Sequence, residues 1–224
     1  MNPTPIMMKD TQKVYGFLKS LGEIDMSYKK KKIAVYDEET KTTKKVLKNI
    51  GYYDITLAFD TETSSFYVDG EKQSIMYVWQ LGINGTVIMG RTWGEFLELI
   101  SMIRQYIMID NERRLVIYVH NLAFDFQFFK DLFLWDETFC LKKRVPIDCV
   151  TEGIEFRCSY VLSGLSLSNL DKNITKYPVH KLSGDLDYEL IRHSNTPLSD
   201  KEIGYCVNDV LTDMSYIQEK AENE

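Results

Sequence analysis

Five residues in this 224-residue sequence have the types and spacing for metal-assisted chemistry. Asp60 and Glu62 stand one residue apart in "LAFDTETSSF" (57–66), and Asp125 closes "YVHNLAFD" (118–125). Tyr205 and Asp209 lie four residues apart in "YCVNDV" (205–210). Residues i and i+2 of a strand share a face, so Asp60 and Glu62 project to one side. On a helix Tyr205 and Asp209 share a face, largely off the apolar stripe Ile203, Val207, Val210, Met214 and Ile217. Four carboxylates brought together repel one another and resist ionisation. Hard cations relieve that repulsion, and an all-oxygen donor set favours two Mg²⁺ (or Mn²⁺) ions over zinc.

Each element has a plainer reading when taken alone. D-x-E occurs six times, at Asp37, Asp60, Asp69, Asp110, Asp187 and Asp200. Asp69-Gly70 is a turn dipeptide and Asp200 opens a helix. Asp60 alone ends a continuous apolar run, 55–59, of the kind buried on both faces of a sheet; a solvated strand end is its alternative. Asn121 suits a helix N-cap, and Asp125 suits the first turn of a helix, against the macrodipole. Tyr205 and Asp209 could simply face solvent.

The elements that must position these residues follow from periodicity. A buried strand is expected over 55–60. Alternating runs at 73–83 and 86–90 form a hairpin joined by Asn84-Gly85. Thr92-Trp93-Gly94-Glu95 is a capping box opening a helix with Phe96, Leu97, Leu99, Ile100, Ile103 and Ile107 at helical spacing. Residues 115–119 read as a second buried strand, 124–134 as a helix, 139–161 as further strands and 166–174 as a short helix. A second capping box, Ser199 to Glu202, starts a long C-terminal helix. The order predicts an α/β fold, a mixed β-sheet flanked by helices.

Residues 1–50 form a lysine-rich N-terminal extension, with eight lysines between Lys29 and Lys48. It reads either as a basic arm touching nucleic-acid phosphates or as a solvated hairpin with lysines at an edge. Residues 51–224 are the remaining domain. A hydrophobic fraction of 44% excludes a disordered chain, and a net charge of −6 argues against a broad basic surface. The four cysteines show no C-x-x-C spacing and the three histidines lie far apart, which disfavours structural zinc. Free thiols, and no signal peptide or membrane span, point to a soluble protein of a reducing compartment, the cytoplasm.

Together the motifs are specific. "DTETS", "YVHNLAFDFQFF" and "GDLDY…SDKEIGYCVNDV", in order, resemble the three exonuclease motifs of DEDD-type 3′–5′ exonucleases of the tyrosine subclass. Within that superfamily residues 52–220 look most like the proofreading domain of protein-primed family B DNA polymerases of phages and other viruses. The resemblance implies a ribonuclease H-like fold and two-metal hydrolysis of the 3′-terminal phosphodiester of single-stranded DNA. Asp60, Glu62, Asp125 and Asp209 would be metal ligands, and Tyr205 would orient the attacking water.

The resemblance further implies substrate contacts at Thr63, Tyr118, His120, Asn121, Phe124, Phe128, Ser166, Leu167 and Tyr188. Core packing is the alternative for Phe124 and Phe128, and capping for Ser166. The family's catalytic lysine before Gly-Asp is replaced here by Ser183; Lys181, two residues upstream, could take that catalytic role only if the loop is reshaped. Implied partners are the 3′ end of single-stranded DNA, a polymerase domain in cis and a terminal protein, in the host cytoplasm if viral; no membrane is implied. An exoribonuclease of the same superfamily, or a module that binds a strand or partner without cutting, are the competing readings.

Overall fold

The computed structural model describes residues 3–179 and 190–223. A two-residue strand β1 (Ile6–Met7) and helix α1 (Thr11–Ser20) precede a ribbon of β2 (Met26–Asp37) and β3 (Thr42–Tyr53). Next come β4 (Leu57–Val68), β5 (Glu71–Ile83), β6 (Thr86–Gly90), helix α2 (Trp93–Ile107), β7 (Arg113–Val119) and helix α3 (Leu122–Phe129). Strands β8 (Glu137–Lys142), β9 (Val145–Thr151) and β10 (Ile154–Cys158) follow. The short helices α4 (Ser159–Ser163) and α5 (Leu167–Leu170) lead to α6 (Asp200–Glu222).

The main path of the sheet runs β1-β6-β5-β4-β7-β10-β9-β8, with β3 also beside β7 and β2 beside β3. β4, β7 and β10 are parallel to one another. β5 and β6 on one side, and β9 and β8 on the other, are antiparallel. One face packs Leu57, Phe59, Leu115, Ile117 and Phe156 against Phe96, Leu99 and Ile103 of α2. The other packs Ala58, Val78 and Val87 against Val207, Val210 and Met214 of α6. Burial on both faces is why β4 and β7 read as unbroken apolar runs. No described helix is long and apolar enough to cross a membrane.

Two elements differ from expectation. The strand holding Asp60 does not end there: β4 continues to Val68, paired with β5 throughout and bulged between Glu62 and Thr63. What stops is the pairing with β7, whose last partners are Phe59 and Val119. Asp60 and Glu62 therefore sit where β4 outruns its parallel neighbour, and the apolar run ends because one side of the strand opens. The helix expected over 124–134 is α3, which begins earlier and ends at Phe129, followed by one 3₁₀ turn (Lys130–Leu132). The Trp135 indole donates to the Lys130 carbonyl at 2.7 Å. Phe129, Phe133 and Trp135 fold back on Phe156, which outweighs continuing the helix.

The first fifty residues are joined to this body. Met8, Val14 and Leu18 enter the core, and β1 pairs with β6. The ribbon is tethered by Lys31, whose ammonium lies 3.4 Å from Glu155 and near Glu137 and Asp148. Glu155 is fully buried. Burial would raise its pKa, but Arg157 and Lys31 outweigh that and hold it at about 2. Arg114, itself buried, bridges Glu155 at 3.1 Å and Glu137 at 2.7 Å.

Gly82 decides how closely α6 approaches. A Cβ there would collide with Met214 Sδ and meet Val210 Cγ1 at 2.6 Å. Gly82→Ala is expected to cost about 1–3 kcal/mol through overpacking, a fall in Tm of roughly 2–12 °C. Gly16→Ala, in α1 with open space around it, should instead stabilise by about 0.5–1 kcal/mol. Thermal unfolding of the two variants checks the opposite signs.

Candidate metal centre and active site

Asp60 and Glu62 project from β4 toward α6, which presents Asp209. One ligand oxygen from each of the three lies within 4.8 Å of the others. Asp60 pairs in register with Gln80 of β5, whose amide donates to Asp60 Oδ2 at 2.8 Å. Burial, with the negative charges of Asp125, Glu62 and Asp209, pushes the Asp60 carboxyl well above the usual range. Burial, followed by Asp209 and Asp125, raises Glu62 to about 8. The cluster thus holds carboxyls that resist ionising unless positive charge arrives.

Asp125 stands beside this group rather than in it. Its carboxylate is buried and accepts the Thr61 hydroxyl at 2.6 Å. Burial raises it to about 7, against the lowering effect of that bond and of nearby His120. Asn121 does occupy the N-cap of α3, but in the left-handed region (φ 64°) and with no side-chain bond to the helix. The structure leaves that side chain outside the capping role.

Four of the expected residues share a cleft, and the others are placed separately. Tyr205, Asp209, Ser166 and Leu167 border one cleft of about 250 Å³. Ser166 is the N-cap of α5 by position, yet makes no side-chain cap bond. Phe124 is 47% exposed, so it is not core; its ring lies 5.4 Å from that of Phe128. Tyr118 pairs with Ala58 and Arg157 in register, and so lies on the same sheet face as Asp60. Thr63 sits at the β4 bulge. Lys181 and Tyr188 lie outside the described residues.

Sequence reasoning missed several supporting groups. Gln80 is a buried polar residue inside an apolar run, and that interruption was its available signal. Thr61, between the two carboxylates, reaches the opposite face to Asp125. Asp213, four residues after Asp209 and thus on nearly the same helical face, is 3% exposed, and among the described residues neither carboxylate oxygen has a hydrogen-bond partner. His120 Nδ1 lies 3.8 Å from Asp213 and 3.2 Å from the Ser159 hydroxyl. Buried Arg192 donates its Nε to Glu202 at 2.6 Å, while its backbone N–H donates to Ser64 Oγ. Further along α6, Glu219 accepts the backbone N–H groups of Thr175 and Lys176 at 2.9 Å each.

The donor set fits hard divalent cations. It is all oxygen, drawn from two elements, and burial together with the neighbouring carboxylates holds Asp60 and Glu62 above their ordinary pKa range, which a cation would relieve. Asp60, Glu62 and Asp209 could hold such an ion.

No family model matches the sequence, and no curated protein matches it. Its fold is similar to that of phi29 DNA polymerase in complex with primer-template DNA and incoming nucleotides: 16% identity and TM-score 0.58 over 75% of this chain and 31% of the polymerase. The same polymerase with single-stranded DNA gives 13% identity and TM-score 0.58. The EXO domain of Aedes aegypti Nibbler is aligned over 98% of this chain at 10% identity and TM-score 0.48. The chain spans about a third of the length of the phi29 enzyme it matches. At such identities the likeness establishes the fold, a mixed sheet flanked by helices in the ribonuclease H-like manner.

Proposed function

We propose that this chain is a metal-dependent 3′–5′ exonuclease acting on the 3′ end of single-stranded DNA, the editing module of a viral protein-primed family B DNA polymerase. The observation that supports it most is the meeting of Asp60, Glu62 and Asp209 from distant segments within 4.8 Å, beside a cleft bordered by Tyr205 and Ser166. The likeness to phi29 DNA polymerase agrees with it. The polymerase domain, a terminal protein and a cytoplasmic location in an infected host belong to the same proposal.

Asp60, Glu62 and Asp209 would hold Mg²⁺ or Mn²⁺, with Asp125 beside them. Bound divalent ions supply a water of lowered pKa and stabilise charge on the leaving oxygen. The Tyr205 phenol is too weakly acidic to be a base near neutrality and would orient the attacking water. Thr61 fixes Asp125 and Gln80 fixes Asp60, so the carboxylates need little rearrangement. Exposed Phe124, beside Phe128, would stack unpaired bases, a contact worth about 1–3 kcal/mol per base. An unpaired terminus then binds without melting, which is the selectivity that editing requires.

Release of mononucleotides from 3′-labelled DNA in Mg²⁺ tests the reading. An Asp60→Ala, Glu62→Ala double substitution should reduce it to background; unchanged turnover would sink the assignment. Tyr205→Phe should lower kcat by about 10²-fold with little change in KM. Preferential hydrolysis of an RNA strand of the same sequence would indicate the exoribonuclease. Metal-dependent stabilisation without cleavage would indicate a non-cutting module.

Metal and pH should be coupled. The folded-state pKa values of Glu62 and Asp125 are raised to about 8 and about 7. In metal-free protein the stability they contribute is present below their ordinary pKa values and lost as pH rises through 7–8. Metal binds the ionised carboxylates, so Mg²⁺ should raise Tm little at about pH 5.5 and more at about pH 8.5. Equal shifts at both pH values would contradict this.

A further inference from the structure

The β2–β3 ribbon sorts its lysines by face. Its twelve ladder pairs run from Met26↔Tyr53 to Asp37↔Thr42, and directly opposed residues share a face. The inward row carries Lys29, Lys31, Lys44 and Lys48. Three of the four are ion-paired: Lys31 with Glu155, Lys44 with Asp37 at 2.7 Å, and Lys48 with Glu112 at 2.7 Å. The outward row carries Lys30, Lys32 and Lys45, and among the described residues none has a carboxylate within ion-pair distance. Tyr28 and Tyr36 share this row, 62% and 58% exposed. No acidic residue belongs to it; the ribbon's three carboxylates sit together at 37–39, where β2 turns into β3.

On the inward face Lys31 and Lys48 tie the ribbon to the rest of the protein, while the outer face is basic and aromatic, in a chain whose net charge is −6. An exposed edge needs lysines only to discourage strand pairing; that role does not call for exposed tyrosines on either side of them or for exclusion of acids from the row. Successive outward side chains are about 6.8 Å apart along a strand, a repeat suited to an extended polymer. Lysines and tyrosines in one row are the two contacts a single strand accepts: cations for its phosphates, aromatic faces for its unpaired bases. A duplex offers the first contact but not the second.

We propose that the outer face of the β2–β3 ribbon binds single-stranded nucleic acid, with Lys30, Lys32 and Lys45 against phosphates and Tyr28 and Tyr36 against bases. This surface is separate from the carboxylate cluster and stands whether or not that cluster cuts.

The test is fluorescence anisotropy of the full chain with a labelled oligothymidylate of ~20 nucleotides, in chelator so that nothing is hydrolysed. A Lys30→Gln, Lys32→Gln, Lys45→Gln variant should bind about 10–100-fold more weakly at about 50 mM salt. Its slope of log affinity against log salt should be shallower by about 2, at roughly 0.7 per phosphate contact. The corresponding Lys→Arg variant should bind like the parent. Tyr28→Ala with Tyr36→Ala should weaken the oligothymidylate by at least about fivefold and leave inorganic polyphosphate unchanged. Unaltered affinity and slope in the Gln variant would overturn the proposal, as would equal losses for polyphosphate in the tyrosine variant, or tighter binding of a duplex. Hydrolysis of a ~4-nucleotide strand in Mg²⁺ should be the same in all variants, so failure of the nuclease reading is seen separately.

Discussion

Asp60, Glu62 and Asp209 bring carboxyl groups within 4.8 Å, and packing brings together the two elements that carry them. Two of them stand on β4 where it outruns β7, so the arrangement depends on β5 continuing to pair with β4 beyond that point. The third depends on α6 lying hard against β5, which Gly82 permits. Val207, Val210 and Met214 supply the apolar contact that opposes the repulsion. Each apolar residue of that stripe thus bears indirectly on the electrostatics of the cluster.

The same sheet handles buried charge in two ways. Glu155 is fully buried and stays ionised, at about 2, because Arg157, Lys31 and Arg114 surround it. Glu62 is nearly as buried, yet it meets carboxylates and is raised to about 8. The first arrangement is complete within the protein and secures a ribbon. In the second, burial and neighbouring carboxylates outweigh the opposing charge of Arg192, which is the kind of imbalance concentrated at functional sites.

Much of this was legible in the residues. The runs at 55–59 and 115–119, the two capping boxes and Asn84-Gly85 located the central strands, α2, α6 and the β5–β6 hairpin. Helical spacing placed Tyr205 and Asp209 together. What stayed hidden was set by contacts between distant segments. Nothing local to Asp60 says that β4 runs on past it, because the reason is the length of β7. α3 stops at Phe129 because Trp135 and Phe156 draw the chain back. That Lys30, Lys32 and Lys45 share the outer row, apart from the ion-paired lysines, requires the strand register, and the partners of Lys31 come from β8, β9 and β10.

Helix α6 has one more consequence. Near its start Glu202 holds Arg192, and near its end Glu219 holds the backbone at Thr175 and Lys176. Twenty-three residues of helix span about 34 Å, with Asp209 between the two anchorages. The two ends of the stretch between 176 and 192 are thus fastened to a single stiff rod. The entropy of bringing its ends together is lost once, when the rod docks, and not again at each encounter with a ligand. Any rocking of that rod would carry the Asp209 carboxylate and both attachment points together.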